Sequence, residues 1–194
     1  MNHLPLLLGS YVLGAIPTGY WLGLAWKGID VRTQGSGNLG ATNVFRVLGK
    51  GPGIVTLILD IWKGILPILA ARHYFPDMPM LPLEAGLLAI LGHTTSPFVG
   101  FRGGKGVATS AGVFYALLPI PTSIAVGVFS LSLFISAYVS LSSILAALTL
   151  AIATCIAHVA IPLKVAAVAI AVFVIWKHRT NIQRLRAGTE SKIR

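Results

Sequence analysis

The sequence predicts an all-α integral membrane protein, a bundle of about seven transmembrane helices. Of its 194 residues, 55% are hydrophobic and only 10% are charged. A soluble domain carries roughly 25% charged residues, so this chain has too few to cover a water-facing surface. Its mean hydropathy of +0.82 points the same way. The apolar residues also gather into runs close to the roughly 17–25 residues that cross a bilayer core as a helix. The one cysteine, Cys155, lies in such a run, which excludes a disulfide framework and a cysteine metal site.

The first run, residues 4–26, has no basic n-region and is too long for a signal-peptide core. With Trp21 and Trp26 near its far end, it reads as an uncleaved span. Spans are expected next over 52–72 and 81–98. The run at 107–118 is short enough to suit a re-entrant helix as well. Runs at 121–139, 143–161 and 163–176 complete the set, with turns marked by Pro79, Pro82, Pro119, Pro121 and Pro162. Seven crossings put the two termini on opposite sides. If the first loop is cytoplasmic, twelve of the fifteen Lys and Arg lie on that side, Arg72 and Lys164 lie opposite, and Lys63 falls within a span. The expected orientation is therefore N-terminus outside and C-terminus cytoplasmic, in one domain over residues 1–194.

The net charge of +10 would indicate nucleic acid in a soluble protein. Here membrane orientation and an anionic substrate account for it, and no nucleic-acid partner is expected. Every polar motif falls on the cytoplasmic side. Residues 92–109 interrupt the apolar sequence with His93, Arg102, Gly103, Gly104, Lys105, Gly106 and Thr109. Glycines let backbone amides approach an anion, and Arg102 and Lys105 supply charge. Positive-inside anchoring explains the cations but not the glycines around Lys105. Thr109, one turn from Lys105, is expected to face the same pocket. The segment is not a Walker A loop, because Val99 stands where the first glycine belongs and Gly106 replaces the Ser/Thr after Lys105.

A second anion site is expected in the first loop, at Ser36, Gly37, Asn38, Gly40, Thr42, Asn43 and Arg46. Gly35, Gly37 and Gly40 match G-x-G-x-x-G, but a membrane helix precedes them where a dinucleotide fold needs a strand. A short helix starting near Leu39 would offer phosphate its N-terminal amides. Ser140 to Ser143 read as a turn with Ser142 or Ser143 capping a helix. At the last span's end, His178 and Asn181 share a helix face beside Lys177 and Arg184. Asp60 and Lys63, one turn apart inside a span, are either a bracing ion pair or a functional one. Gly19 and Gly23 suit helix packing. His3, His73 and His158 carry no chemistry, and no His/Asp/Glu group has metal-ligand spacing.

In this order the motifs closely resemble the bacterial acyl-phosphate:glycerol-3-phosphate acyltransferase (PlsY) family. The matching pieces are residues 35–46, 60–64, 92–109, 140–143 and 177–190. The resemblance covers nearly the whole chain. It implies acyl transfer from acyl phosphate to the 1-position of sn-glycerol 3-phosphate, giving lysophosphatidic acid and phosphate, the first step of phospholipid synthesis. It also implies a bacterial cytoplasmic membrane, membrane lipid as surroundings, and no cofactor or metal. The His-x-x-x-x-Asp motif of soluble-donor acyltransferases is missing: Phe98 and Gln183 stand five residues after His93 and His178.

Two phosphate-bearing substrates need two anion sites, and the chain offers two basic glycine-rich loops and a basic helix end. Ser36, Gly37, Asn38, Gly40, Thr42 and Asn43 are expected to hold the acyl-phosphate headgroup. Arg46, Lys105, Ser143, His178 and Asn181 are expected to hold glycerol 3-phosphate, and the two assignments are interchangeable. Three groups compete as base: His178, His93 and the acceptor's own phosphate, whose second pKa near 6 suits the task. An organic-phosphate transporter is the rival class. It would more naturally show internal repeats and charge near the midplane, whereas the polar residues here cluster at one face. The oligomeric state is open, and a monomer is compatible with the sequence.

Overall fold

The computed structural model describes residues 2–193, whose regular elements are all helices, with no strand among them. In order the helices are α1 (Leu4–Ala15), α2 (Thr18–Lys27), α3 (Ala41–Leu48), α4 (Lys50–Tyr74), α5 (Leu81–Thr94), α6 (Val107–Leu117), α7 (Pro119–Ser136), α8 (Val139–Ile156), α9 (Ile161–Lys177) and α10 (Arg179–Arg186). Three of them, α4, α7 and α8, are long and apolar enough to cross a membrane; α9 with α10, bent by 56°, makes a fourth if the pair is one span. Helices α1 and α6 are apolar but shorter. Two compact units result, one up to Leu117 and one from Leu118 onward.

The first apolar run is not one continuous helix. It breaks at Ile16–Pro17 into α1 and α2. Proline lacks an N–H and drives the residue before it out of the helical region. Ile16 accordingly sits at φ −55°, ψ 114°. The same rule shortens the third run: α5 stops at Thr94, and Ser96, before Pro97, is extended at φ −62°, ψ 121°.

Within the first unit, α4 shows the pattern the bilayer demands. Pro52, Gly53, Thr56, Asp60, Lys63, Gly64, Pro67, Ile68 and Ala71 form its buried stripe. Ile54, Ile58, Trp62, Leu66 and Leu69 point outward. Small and polar groups face protein, while large apolar ones are left for lipid, the inverse of a soluble helix. Glycines set the close crossings. A Cβ on Gly14 would meet the Ala89 backbone, and one on Gly92 would meet the Tyr11 carbonyl, so α1 and α5 touch backbone to backbone. Gly64 against Thr109 and Gly112 against Ile61 do the same for α4 and α6. Gly19 and Gly23 are packing glycines too, but they face Leu39, Val44, Ile29 and Val31.

The second unit is α7 to α10, with α8 against α7, α9 and α10. The turn between α7 and α8 is Ala137–Tyr138, with Ala137 left-handed at φ 60°. Residues 140–143 therefore lie in the first turn of α8 rather than in a loop. Ser142 and Ser143 do not cap the helix. Their hydroxyls donate to the carbonyls of Tyr138 and Val139, four residues back, at 2.9 and 2.8 Å. Such back-bonding satisfies a serine inside an apolar helix.

Candidate active site

The loop over residues 34–40 is built from within. Asp30 accepts from the Arg32 amide at 2.9 Å and opens a 3-10 turn, Val31–Thr33. Its carboxylate also pairs with the Arg32 guanidinium at 2.7 Å, which holds Asp30 below the usual carboxylate range. Asn43 is the organiser. Its Oδ1 accepts from the Ser36 amide at 2.7 Å, and its Nδ2 donates to Val31 O and Gln34 O at 2.8 and 3.1 Å. Asn43 is 1% exposed, so its polar atoms shape the loop rather than reach a headgroup. Asn38 is likewise engaged, accepting from the Gly40 amide at 2.9 Å. Gly35 and Gly37 both have positive φ. Behind the loop, Val31, Leu39, Val44, Leu48 and Val99 form a small core.

Gly40 precedes α3 in an extended conformation, and its carbonyl already accepts from Asn43 and Val44. The first-turn amides of Ala41 and Thr42 have no helical carbonyl to bond, so they form the anion-suited end of α3. Ser36 and Gly37 are exposed; Asn38, Thr42 and Arg46 are half-buried. The short helix expected near Leu39 is thus present two residues later.

The glycine-rich segment rests on the C-terminal end of α5. The Gly104 amide donates to His93 O at 3.1 Å, so this N–H is committed within the protein. A Cβ on Gly103 would strike the same carbonyl, and one on Gly104 would strike the His93 ring. These glycines therefore have a packing reason besides any ligand. Gly106, at φ +81°, allows the turn into α6. Arg102 is exposed and Lys105 half-buried. Thr109 does not face a pocket with Lys105: it is 0% exposed at the α4–α6 crossing, and its Oγ1 has no hydrogen-bond partner.

A narrow cleft of only about 10 Å³, partly open to solvent, lies in this unit. Its lining includes Pro17, Thr18, Asp60, Lys63, His93, Ser96, Gly103 and Gly104. Asp60 and Lys63 form a buried ion pair at 2.8 Å. Thr18 and Ser96 were not singled out from sequence. A lone hydroxyl beside a proline was the only signal either offered.

In the second unit the organiser is Glu190. It accepts from Ser140 Oγ at 2.8 Å, Asn181 Nδ2 at 2.6 Å and Arg184 Nε at 2.7 Å. Asn181 is thereby fixed in orientation, and Ser140, rather than Ser143, is the serine tied to it. His178 sits at the α9–α10 bend, 3% exposed, with Nδ1 2.8 Å from Val174 O. A carbonyl only accepts, so Nδ1 carries the hydrogen and donates it to Val174 O. Glu190 itself gave one sequence signal, a single acid in a basic tail.

Burial by itself raises the Glu190 carboxyl, but hydrogen bonds from Arg184, Asn181 and Ser140 bring it below its ordinary 4.5. A depressed folded-state pKa adds stability above the unfolded carboxyl range, and that stability is lost as pH falls through the lower folded value. Glu190→Gln is expected to be less stable at pH 7 by on the order of 2 kcal/mol. The gap to wild type should close in acid. Thermal unfolding of both proteins at neutral and acid pH checks this; a constant gap rules it out.

A family model described as glycerol-3-phosphate acyltransferase matches residues 4–188. A glycerol-3-phosphate acyltransferase of Fusobacterium nucleatum is 49% identical over 188 residues, covering 95% of each chain. One of Geobacter metallireducens is 50% identical over 189 residues, covering 97% of this chain and 96% of the relative. A crystal structure of PlsY (YgiH), an integral membrane glycerol 3-phosphate acyltransferase, in its glycerol 3-phosphate form is similar with a TM-score of 0.91. It is 38% identical and covers 98% of this chain and 95% of that one. The lysophosphatidic acid form of that protein gives a TM-score of 0.88.

Proposed function

The chain belongs to the glycerol-3-phosphate acyltransferase family, and we propose that it moves a fatty acyl group from acyl phosphate to the 1-hydroxyl of sn-glycerol 3-phosphate. The hydroxyl oxygen attacks the acyl carbonyl carbon, an ester bond forms, and the bond from that carbon to the phosphate oxygen breaks. Lysophosphatidic acid and inorganic phosphate result. The donor is already activated, so no covalent enzyme intermediate is needed.

The observation that carries the reading is the loop that Asn43 folds around Ser36 in front of α3, which offers first-turn amides and Arg46 on the same helix. Ser36, Gly37, Gly40 and Thr42 serve as the phosphate cradle there, with Asn38 and Asn43 shaping it. Arg102, Gly103, Lys105 and Gly106 form the second phosphate-suited segment, seated by Gly104 on His93. In the second unit, His178, Asn181 and Ser143 are assigned to the acceptor by the family resemblance. Lys105 and neighbouring amides stabilise charge developing on the carbonyl and the departing phosphate. The acceptor's phosphate takes the hydroxyl proton.

The whole chain works as one acyltransferase domain that crosses the bacterial cytoplasmic membrane seven times, N-terminus outside, with its chemistry at the cytoplasmic face. The one-sided distribution of Lys and Arg supports this orientation. The purified protein is expected to release phosphate from palmitoyl phosphate only when glycerol 3-phosphate is added. Activity should fall as pH drops below about 6, where the acceptor's phosphate gains its proton. Absence of acceptor-dependent release, beside an active relative as control, would end the reading.

A further inference from the structure

We propose that Asp60 and Lys63 are positioning residues: they clamp the break between α1 and α2, and through it seat the glycine-rich segment that carries Lys105. The proposal rests on the acyltransferase reading, because it concerns where that segment stands for phosphate-bearing substrates.

A helix that ends inside an apolar region leaves carbonyls without partners, and hydrocarbon supplies no water to satisfy them. At the break, Leu13 O accepts from the Ile16 amide at 3.3 Å and Ile16 O from the Thr18 amide at 3.0 Å, and two side chains add to these. Ser96 Oγ donates to Ala15 O at 2.6 Å, and Lys63 Nζ donates to Ile16 O at 3.0 Å. On the other side of the break, Thr18 opens α2, and its hydroxyl donates to Asp60 Oδ1 at 3.3 Å. Lys63 and Asp60 meet at 2.8 Å, and they are 4% and 2% exposed.

The order of the two charges matches the helix ends they serve. The cation lies at the C-terminal end of α1, where the helix dipole is negative, and the carboxylate lies at the N-terminal end of α2, where it is positive. A pair present only to neutralise itself would work in either order. This pair has a direction.

Ser96 joins the break to the glycine-rich segment. While its hydroxyl holds Ala15 O, its own carbonyl accepts from the Phe101 amide at 2.8 Å. Phe101 is held there at φ 59°, unusual for a residue with a side chain. Three residues on, the Gly104 amide is fixed to His93 O. Asp60, Lys63, Ser96, His93, Gly103 and Gly104 all line one cleft. The α1–α2 break and the start of the segment are therefore one joint, and Asp60 and Lys63 are its fixed side. Buried ion pairs add little stability over apolar replacements, so a geometric role accounts for this one better than bracing does.

The test uses the full-length protein with palmitoyl phosphate and glycerol 3-phosphate. The folded fraction is set by size-exclusion profile and helical circular dichroism. Loss of folded protein scales Vmax and leaves KM alone, whereas a displaced segment raises KM. Ser96→Ala and Asp60→Asn are expected to raise KM for glycerol 3-phosphate by about tenfold. Lys63→Arg, which keeps a cationic donor for Ile16 O, should stay within about threefold of wild type. The exchange Asp60→Lys with Lys63→Asp should not restore KM. Unchanged KM for both substrates in Ser96→Ala and Asp60→Asn overturns the proposal, and so does an exchanged pair with wild-type KM. Should the exchanged protein not fold, the Ser96→Ala and Asp60→Asn values decide. Wild-type protein without acceptor-dependent turnover defeats the acyltransferase reading instead, and the two failures are distinct.

Discussion

Replacing Lys105 with alanine is expected to lower kcat/KM by about 10²–10³, the loss seen when one fixed donor to a developing oxyanion is removed. The reason lies in the substrates. In the proposed reaction each substrate carries a phosphate with close to two negative charges, and one phosphate leaves. Lys105 is the half-buried cation of a segment whose backbone is held by His93 O and Ser96 O, so its side chain starts from a fixed main chain. Lys105→Arg keeps the charge but spreads it over a planar fork. It should recover part of the loss and leave kcat below wild type. Initial rates on folded protein check this, and a loss below tenfold for Lys105→Ala would remove Lys105 from the chemistry.

The second large effect is steric. Gly103→Ala is expected to cost about 10²-fold in kcat/KM, since a displacement near 1 Å has that consequence at a reacting site. Its Cβ would meet the His93 carbonyl and Thr94 backbone, which cannot swing aside. At Gly104 the obstacle is the His93 ring, a side chain. Gly104→Ala should therefore be partly rescued by His93→Ala, while Gly103→Ala should not. The same pair of variants tests His93 as the base. If His93→Ala alone abolishes turnover, the ring takes part in proton transfer and the seat is its lesser role.

The fold was legible wherever one-dimensional pattern carries the physics. Apolar run length located the long helices α4 and α7 within about three residues and α8 within five. The break at Pro17 was written in the sequence too, but its apolar surroundings read as one span. What pattern alone did not reveal was contact between distant residues. Gly14 on Ala89 and Gly92 on Tyr11 need the α1–α5 crossing before their glycines make sense. Glu190 needs Ser140, fifty positions away, to stand out from a basic tail.

Site residues divide in the same way. Gly103, Gly104 and Asn43 were marked by sequence as anion contacts, and each also has an internal duty that only coordinates reveal. Thr109 shared a helical turn with Lys105, but the adjacent helix α4 decided which way it faced. Composition and residue order by themselves determined a membrane helix protein with glycine-rich basic loops, because charge scarcity, run length and glycine–cation spacing act locally along the chain. Tertiary structure alone decided that Asn43, Glu190 and the Asp60–Lys63 pair hold those loops and ends in place. Hydrogen-bond satisfaction in a water-poor interior depends on which groups the packed helices bring within about 3 Å of one another.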